Sequence, residues 1–96
     1  MKPADQCTTI EEVREAIDQL DKEILEALGR RFEYVKAVTR FKKNKAAVRA
    51  PKRFNEVIQQ RRAKAEEVGL DPDIIEQMYR LLIEHFIEVE KEMLDD

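Results

Sequence analysis

From Thr9 to Lys42 the chain runs 34 residues with no proline and a single glycine, Gly29. Ile10, Val13, Ile17, Leu20, Ile24, Ala27, Tyr34, Val38 and Phe41 recur at three- and four-residue spacing. That period describes one long amphipathic helix with a heptad seam. At about 1.5 Å per residue it would be roughly 50 Å long. Position 31 falls on the seam but holds Arg31. A guanidinium there is costly unless an anion meets it. Arg14 and Lys42 each follow a seam residue by one position, four heptads apart, so they share a flank. About 42 Å separates them along one helix. They can serve one site only if a second chain brings its own Arg14 alongside.

Ninety-six residues allow one domain, 1–96. The residues left over cannot sheathe so long a helix, which argues for an obligate oligomer. The formal charge of −3 hides an asymmetry. Residues 1–29 hold 3 basic and 8 acidic side chains, residues 30–64 hold 13 and 2, and residues 65–96 hold 2 and 11. The basic middle segment calls for an anion: a small carboxylate, a phosphate, nucleic acid, or the chain's own acidic third helix. Cys7 is the only cysteine, so neither a disulfide framework nor a thiolate metal site is expected. The sequence contains no apolar run long enough to span a membrane, and Met-Lys-Pro-Ala-Asp-Gln lacks a signal-peptide core. A cytoplasmic location is expected.

Residues 1–8 read as a short irregular arm. Thr8 and Thr9, each with a glutamate three residues on, fit capping boxes that start helix one. Gly29 reads as close packing with a crossing helix, or as room for a ligand. Residues 43–50 lose the period and end at Pro51, so they read as a loop, with Ala50 extended before proline. Helix two, about 51–68, turns Phe54, Val57, Ile58 and Ala65 inward and stops at Gly69, with Leu70 as its apolar follower. Asp71-Pro72 caps helix three, about 71–94. That helix has two apolar stripes, one of Ile75, Met78, Leu82, His85 and Val89, the other of Ile83, Phe86, Ile87 and Leu94, interrupted by Glu90. The fold class is all-α, three helices per chain.

The chain has no glycine-rich phosphate loop, no serine, and no His/Cys/carboxylate group at metal spacing. No metal and no cofactor is expected. His85 reads as a packed core histidine. Arg14, Arg31, Lys42 and Glu90 remain as charges in apolar company. Each has a plain alternative: Arg31 could pair with an acid such as Glu90, and Lys42 could answer the helix dipole. Together they describe a cavity with several cations, one carboxyl group and no nucleophile. That suits a small dicarboxylate held by arginine forks.

The words Val13-Arg14-Glu15-Ala16-Ile17-Asp18, Ala27-Leu28-Gly29-Arg30-Arg31, Tyr34-Val35-Lys36-Ala37, Arg40-Phe41-Lys42 and Ala50-Pro51-Lys52-Arg53 cover nearly the whole chain. In them the sequence resembles the all-helical (AroQ-class) chorismate mutases, and within these the isochorismate-pyruvate lyases of salicylate and siderophore synthesis. The resemblance implies an intertwined homodimer whose two sites mix residues of both subunits. Arg14 would enter from the partner chain beside Arg31, Lys42 and Glu90. It implies substrate binding by all four, with Lys42 and Glu90 at the breaking ether. It also implies pericyclic chemistry without cofactor: isochorismate to salicylate and pyruvate, or chorismate to prephenate.

Two positions depart from the family pattern, and the loop, with Asn44, Lys45 and Arg49, is more basic than the family's. Mutases of this class carry an acid early in helix two for the ring hydroxyl of chorismate, where this chain has Phe54. The lyases carry glutamine where it has Glu90, although other mutases use glutamate there. The first reading is therefore a lyase with secondary mutase activity, and the alternative is a dedicated chorismate mutase. Rival classes are a nucleic-acid-binding helical dimer and a regulatory mutase-like partner protein. The seam position of Arg31 and the few aromatics speak against nucleic acid. No membrane partner is expected. Only a protonated Glu90 could donate a hydrogen bond to the ether oxygen, so activity is expected to fall as Glu90 ionises.

Overall fold

The computed structural model describes residues 1–42, 44–48 and 50–94. Among them are a 3-10 turn at Ala4–Gln6 and helices α1 (Ile10–Val38), α2 (Lys45–Val48), α3 (Pro51–Glu67) and α4 (Pro72–Glu92). The described residues contain no strand. The three principal helices are α1, α3 and α4. The chain divides into two compact units, Met1–Tyr34 and Val35–Asp96.

In the first unit, Thr9 caps α1. Its Oγ accepts the Glu12 N–H at 3.1 Å. The Glu12 carboxylate does not return to the Thr9 backbone as a reciprocal box would. It accepts from the Thr8 hydroxyl at 3.1 Å and from Lys2 Nζ at 2.9 Å. Lys2, then Thr8, holds the Glu12 carboxyl below its ordinary value. The arm expected to be irregular is thus tied to the first turn of α1. No residue of α1 is buried in the single chain. Ile10 is 56% exposed, Ile17 51% and Ile24 54%.

The α1 ladder ends at Val38, short of the expected Lys42, and Thr39–Phe41 tighten into a 3-10 turn. Two side chains take the last carbonyls. Thr39 Oγ donates to Lys36 O at 2.6 Å, and Arg40 Nε donates to Ala37 O at 3.3 Å. A hydroxyl that bonds back to the preceding turn competes with helix propagation. Lys42 then adopts extended backbone, φ −97° and ψ 133°.

The segment read as a loop, 43–50, contains the one-turn helix α2. Asn44 starts it, its Oδ1 accepting the Ala47 N–H at 3.1 Å, and Val48 is buried at its end. Lys43 and Arg49 of that segment lie outside the described residues. Ala50 corrects a second expectation. It is left-handed, φ 42° and ψ 68°, rather than extended. Its carbonyl accepts the Phe54 N–H at 3.0 Å and opens α3, with Pro51 in the first helical position.

The connection from α3 to α4 is built from local chemistry. Gly69 has φ +82°. Its N–H donates to Glu66 O at 3.2 Å, and the Leu70 N–H donates to Ala65 O at 2.8 Å. This pair of bonds is the Schellman arrangement that the Gly69-Leu70 spacing predicted. Asp71 Oδ1 then accepts the Asp73 N–H at 2.8 Å and caps α4. Both α2 and α3 pack on α4. Val48, Val57, Ile58, Ala65 and Ile87 form the buried apolar core.

Candidate active site

Glu90 is one of two buried polar residues in the described chain, 8% exposed; Thr39 is the other. It lies one helical turn after buried Ile87 on α4. Ile83 and Phe86 are half-buried on the same side of the helix, and Leu94, just past its end, is half-buried too. The periodicity that set Glu90 on an apolar stripe therefore found its environment. A carboxyl group so withdrawn from water is reserved for a partner or a ligand.

Lys42 belongs to the same unit. Its side chain is half-buried, and its N–H donates to the carbonyl of buried Thr39 at 3.1 Å. The segment carrying Lys42 is thus anchored at the residue that ends α1. Arg14 and Arg31 belong to the first unit. Arg14 is exposed on the second turn of α1. Arg31, about five turns further, is half-buried, and its Nη1 atom is out of solvent. Each unit therefore holds two of the four predicted site residues.

His85 departs from expectation. It is exposed in the single chain, with its ring tilted 56° against Phe86 at 5.2 Å. The exposed large apolar residues of α4 are Ile74, Met78 and Leu81, followed by Met93 at its C-terminal cap. The face turned to α2 and α3 is therefore that of Ile83, Ile87 and Glu90, and the stripe predicted through His85 is split.

Sequence reasoning missed a charged network along the α3–α4 pair. Arg62 Nη1 donates to Asp73 Oδ1 at 2.9 Å and to Glu76 Oε1 at 2.7 Å. The other Glu76 oxygen accepts from Arg80 Nε at 2.6 Å. The guanidinium carbon of Arg80 lies 5.4 Å from the centre of the Phe54 ring. Arg61 stacks in the opposite sense, 5.6 Å from the Tyr79 ring. Arg80, and then Arg62, holds the Glu76 carboxyl below its ordinary value. Asp73, and then Glu76, pushes Arg62 higher. The four-residue step from Glu76 to Arg80 was a readable helix-face pair. The bond to Arg62 required the helix register.

Each unit carries an open cleft of about 470 Å³ among its described residues. One is lined by Met1, Lys2, Cys7, Glu12, Glu15 and their neighbours. The other is lined by Ala50, Pro51, Lys52, Arg53 and Glu56, at the start of α3. Among the described residues no group of three acids, histidines or cysteines could hold a metal ion, and no helix is long and apolar enough to cross a membrane.

Residues 13–91 match the chorismate mutase type II family. The chain belongs to that family. The type II chorismate mutase match takes in Arg14, Arg31, Lys42 and Glu90 together. The chain is 44% identical over 87 residues to the isochorismate pyruvate lyase of Pseudomonas aeruginosa, covering 91% of this chain and 86% of that protein. It is 33% identical over 72 residues to the T-protein of Haemophilus influenzae, covering 74% of this chain and 19% of that protein. The T-protein of Enterobacter agglomerans is 35% identical over 69 residues, 71% of this chain and 18% of that protein. In both T-proteins this chain spans only about a fifth of the length.

Proposed function

We propose that this chain is an isochorismate-pyruvate lyase with secondary chorismate mutase activity. The observation that carries the reading is the 44% identity that extends over 86% of the Pseudomonas lyase. The apolar Phe54 in the first turn of α3 points the same way. An apolar ring offers nothing to a ring hydroxyl, and a buried hydroxyl without a partner loses binding energy. In the lyase reaction a ring hydrogen passes to the enolpyruvyl methylene as the ether C–O bond breaks. Salicylate and pyruvate are left, and neither a nucleophile nor a cofactor takes part.

In this reading 1–96 is one catalytic domain and the active form is an intertwined cytoplasmic homodimer. Arg14 of the partner subunit joins Arg31, Lys42 and Glu90 around each substrate. The arginines hold the two carboxylates by paired charge-assisted bonds. Lys42 and a protonated Glu90 meet the charge that gathers on the departing ether oxygen. Binding a reactive conformer supplies the rest of the acceleration. Support for the second chain comes from α1, whose apolar seam has no buried residue in the single chain.

The test is to supply chorismate and isochorismate separately and to follow prephenate and salicylate. Salicylate release with the higher kcat/KM is expected. Prephenate formation far faster than salicylate formation would instead make the protein a dedicated chorismate mutase. That alternative is favoured by Glu90 standing where the lyases carry glutamine.

A further inference from the structure

The register of the α3–α4 pair brings Phe54 and Glu90 to the same end of the bundle. Arg62 meets Glu76 at 2.7 Å and Asp73 at 2.9 Å. The two helices are joined by a short turn and run antiparallel. Eight residues back along α3 from Arg62 is Phe54, and eight forward along α4 from Glu76 is position 84. Glu90 lies beyond it, toward the same end of α4. In the functional reading above, a substrate whose ether oxygen sits at Glu90 turns its ring toward position 54.

The Phe54 ring is half-buried and does not depend on apolar packing alone. Arg80 lies over it at 5.4 Å. Arg80 is itself fixed, because its Nε donates to Glu76 Oε2 at 2.6 Å, and Glu76 is held from the other side by Arg62. A guanidinium with one edge committed to a carboxylate has few rotamers left. Its flat face then restricts the aromatic ring beneath it.

We propose that Arg80 is a positioning residue that pins Phe54 as the apolar wall at the ring end of the substrate site, and so sets the preference between the two isomeric substrates. The inference rests on the functional reading above. Isochorismate and chorismate carry their ring hydroxyls on opposite sides of the ether carbon. A fixed apolar wall disfavours the isomer whose hydroxyl faces it, because that hydroxyl is left unpaired. A wall free to swing lets water or a neighbouring polar group satisfy it, and discrimination falls. Arg80 touches no reacting atom, so its effect appears in the ratio of the two activities rather than in either alone.

The experiment measures kcat and KM on both substrates for the wild type, Arg80→Met, Arg80→Lys and Glu76→Gln, with circular dichroism and Tm recorded for each. Arg80→Met keeps the reach of the side chain and loses the cation. It should lower the ratio of lyase to mutase kcat/KM about two- to fivefold, the scale of a half-exposed cation–π contact. Arg80→Lys should recover part of the loss, and Glu76→Gln should shift the ratio the same way. Equal losses on both substrates, or an unchanged ratio, would overturn the proposal. If Arg80→Met does not fold, Glu76→Gln decides by the same criterion. A wrong functional reading shows itself separately, as a wild-type preference for chorismate before any substitution is made.

Discussion

Arg62 reaches Glu76 across fourteen residues of sequence, its Nη1 donating to Oε1 at 2.7 Å. With the second Arg62 bond, to Asp73, it ties α3 to the first turns of α4. With Arg80 on its other oxygen, the Glu76 carboxylate joins one arginine from each helix.

The Glu76 carboxyl is held below its ordinary value by Arg80 and Arg62. Its folded pKa therefore lies below its unfolded one. The stabilisation is present in full above the unfolded pKa and is lost as pH falls through the folded pKa. Wild-type Tm should decline in that acid window, and Glu76→Gln should remove this part of the decline while lowering Tm at neutral pH. Thermal melts between pH 7 and 3 check it. Parallel curves for the two proteins would contradict the role.

Under the proposed shared-site dimer, two dead proteins become useful to each other. Arg14→Ala and Lys42→Ala should each reduce the rate strongly, Lys42→Ala by about 10²-fold or more through lost charge stabilisation. Unfolded and refolded together in equal amounts, they should regain about one quarter of wild-type activity, because half the dimers are mixed and each mixed dimer has one intact site. Absence of recovery with mixed dimers confirmed would rule out Arg14 entering from the partner. An unchanged kcat in Lys42→Ala would remove it from the ether oxygen.

Glu90, buried like Ile87 one turn before it, is the proposed donor toward the ether. Only the protonated acid can donate. Wild-type activity should fall as the pH rises and Glu90 ionises, whereas Glu90→Gln donates at every pH and should flatten that alkaline limb. Rate–pH profiles of the same shape in both proteins would leave Glu90 as a structural partner of a cation.

Ala50 holds φ 42° immediately before Pro51. A non-glycine residue there costs on the order of 1 kcal/mol or more. Ala50→Gly relieves it but loosens the unfolded chain, for a net gain of roughly 0.5–1 kcal/mol. Tm should rise by about 2–8 °C. A fall in Tm would mean that the left-handed backbone at position 50 is not maintained in solution.

What the sequence made legible was local. Thr9, Gly69-Leu70 and Asp71-Pro72 act on backbone groups within a few residues; the last two make the bonds their types and spacing predict, and Thr9 makes its half of the capping box. The apolar setting of Glu90 was legible because a helix repeats faithfully. The early end of α1 was not, since periodicity continues through Val38 and Phe41 while the Thr39 hydroxyl and Arg40 guanidinium intercept the carbonyls. Nor was α2, where an isolated Asn44 starts a single turn. His85 was misread because a stripe on a helix does not reveal which side its neighbours occupy. The Arg62–Glu76–Arg80–Phe54 network needed the register of two helices, and no spacing in one helix contains that.

If a second chain covers α1, which has no buried residue in the lone chain, concentration becomes a variable of the fold. Apolar side chains such as Ile10, Ile17 and Ile24 remain wet in the lone chain, and whatever covers them contributes stability by mass action. Under the dimeric reading, dilution would weaken the fold and erase the active sites in one step. The melting temperature of this protein would then carry meaning only alongside the amount of chain in the tube.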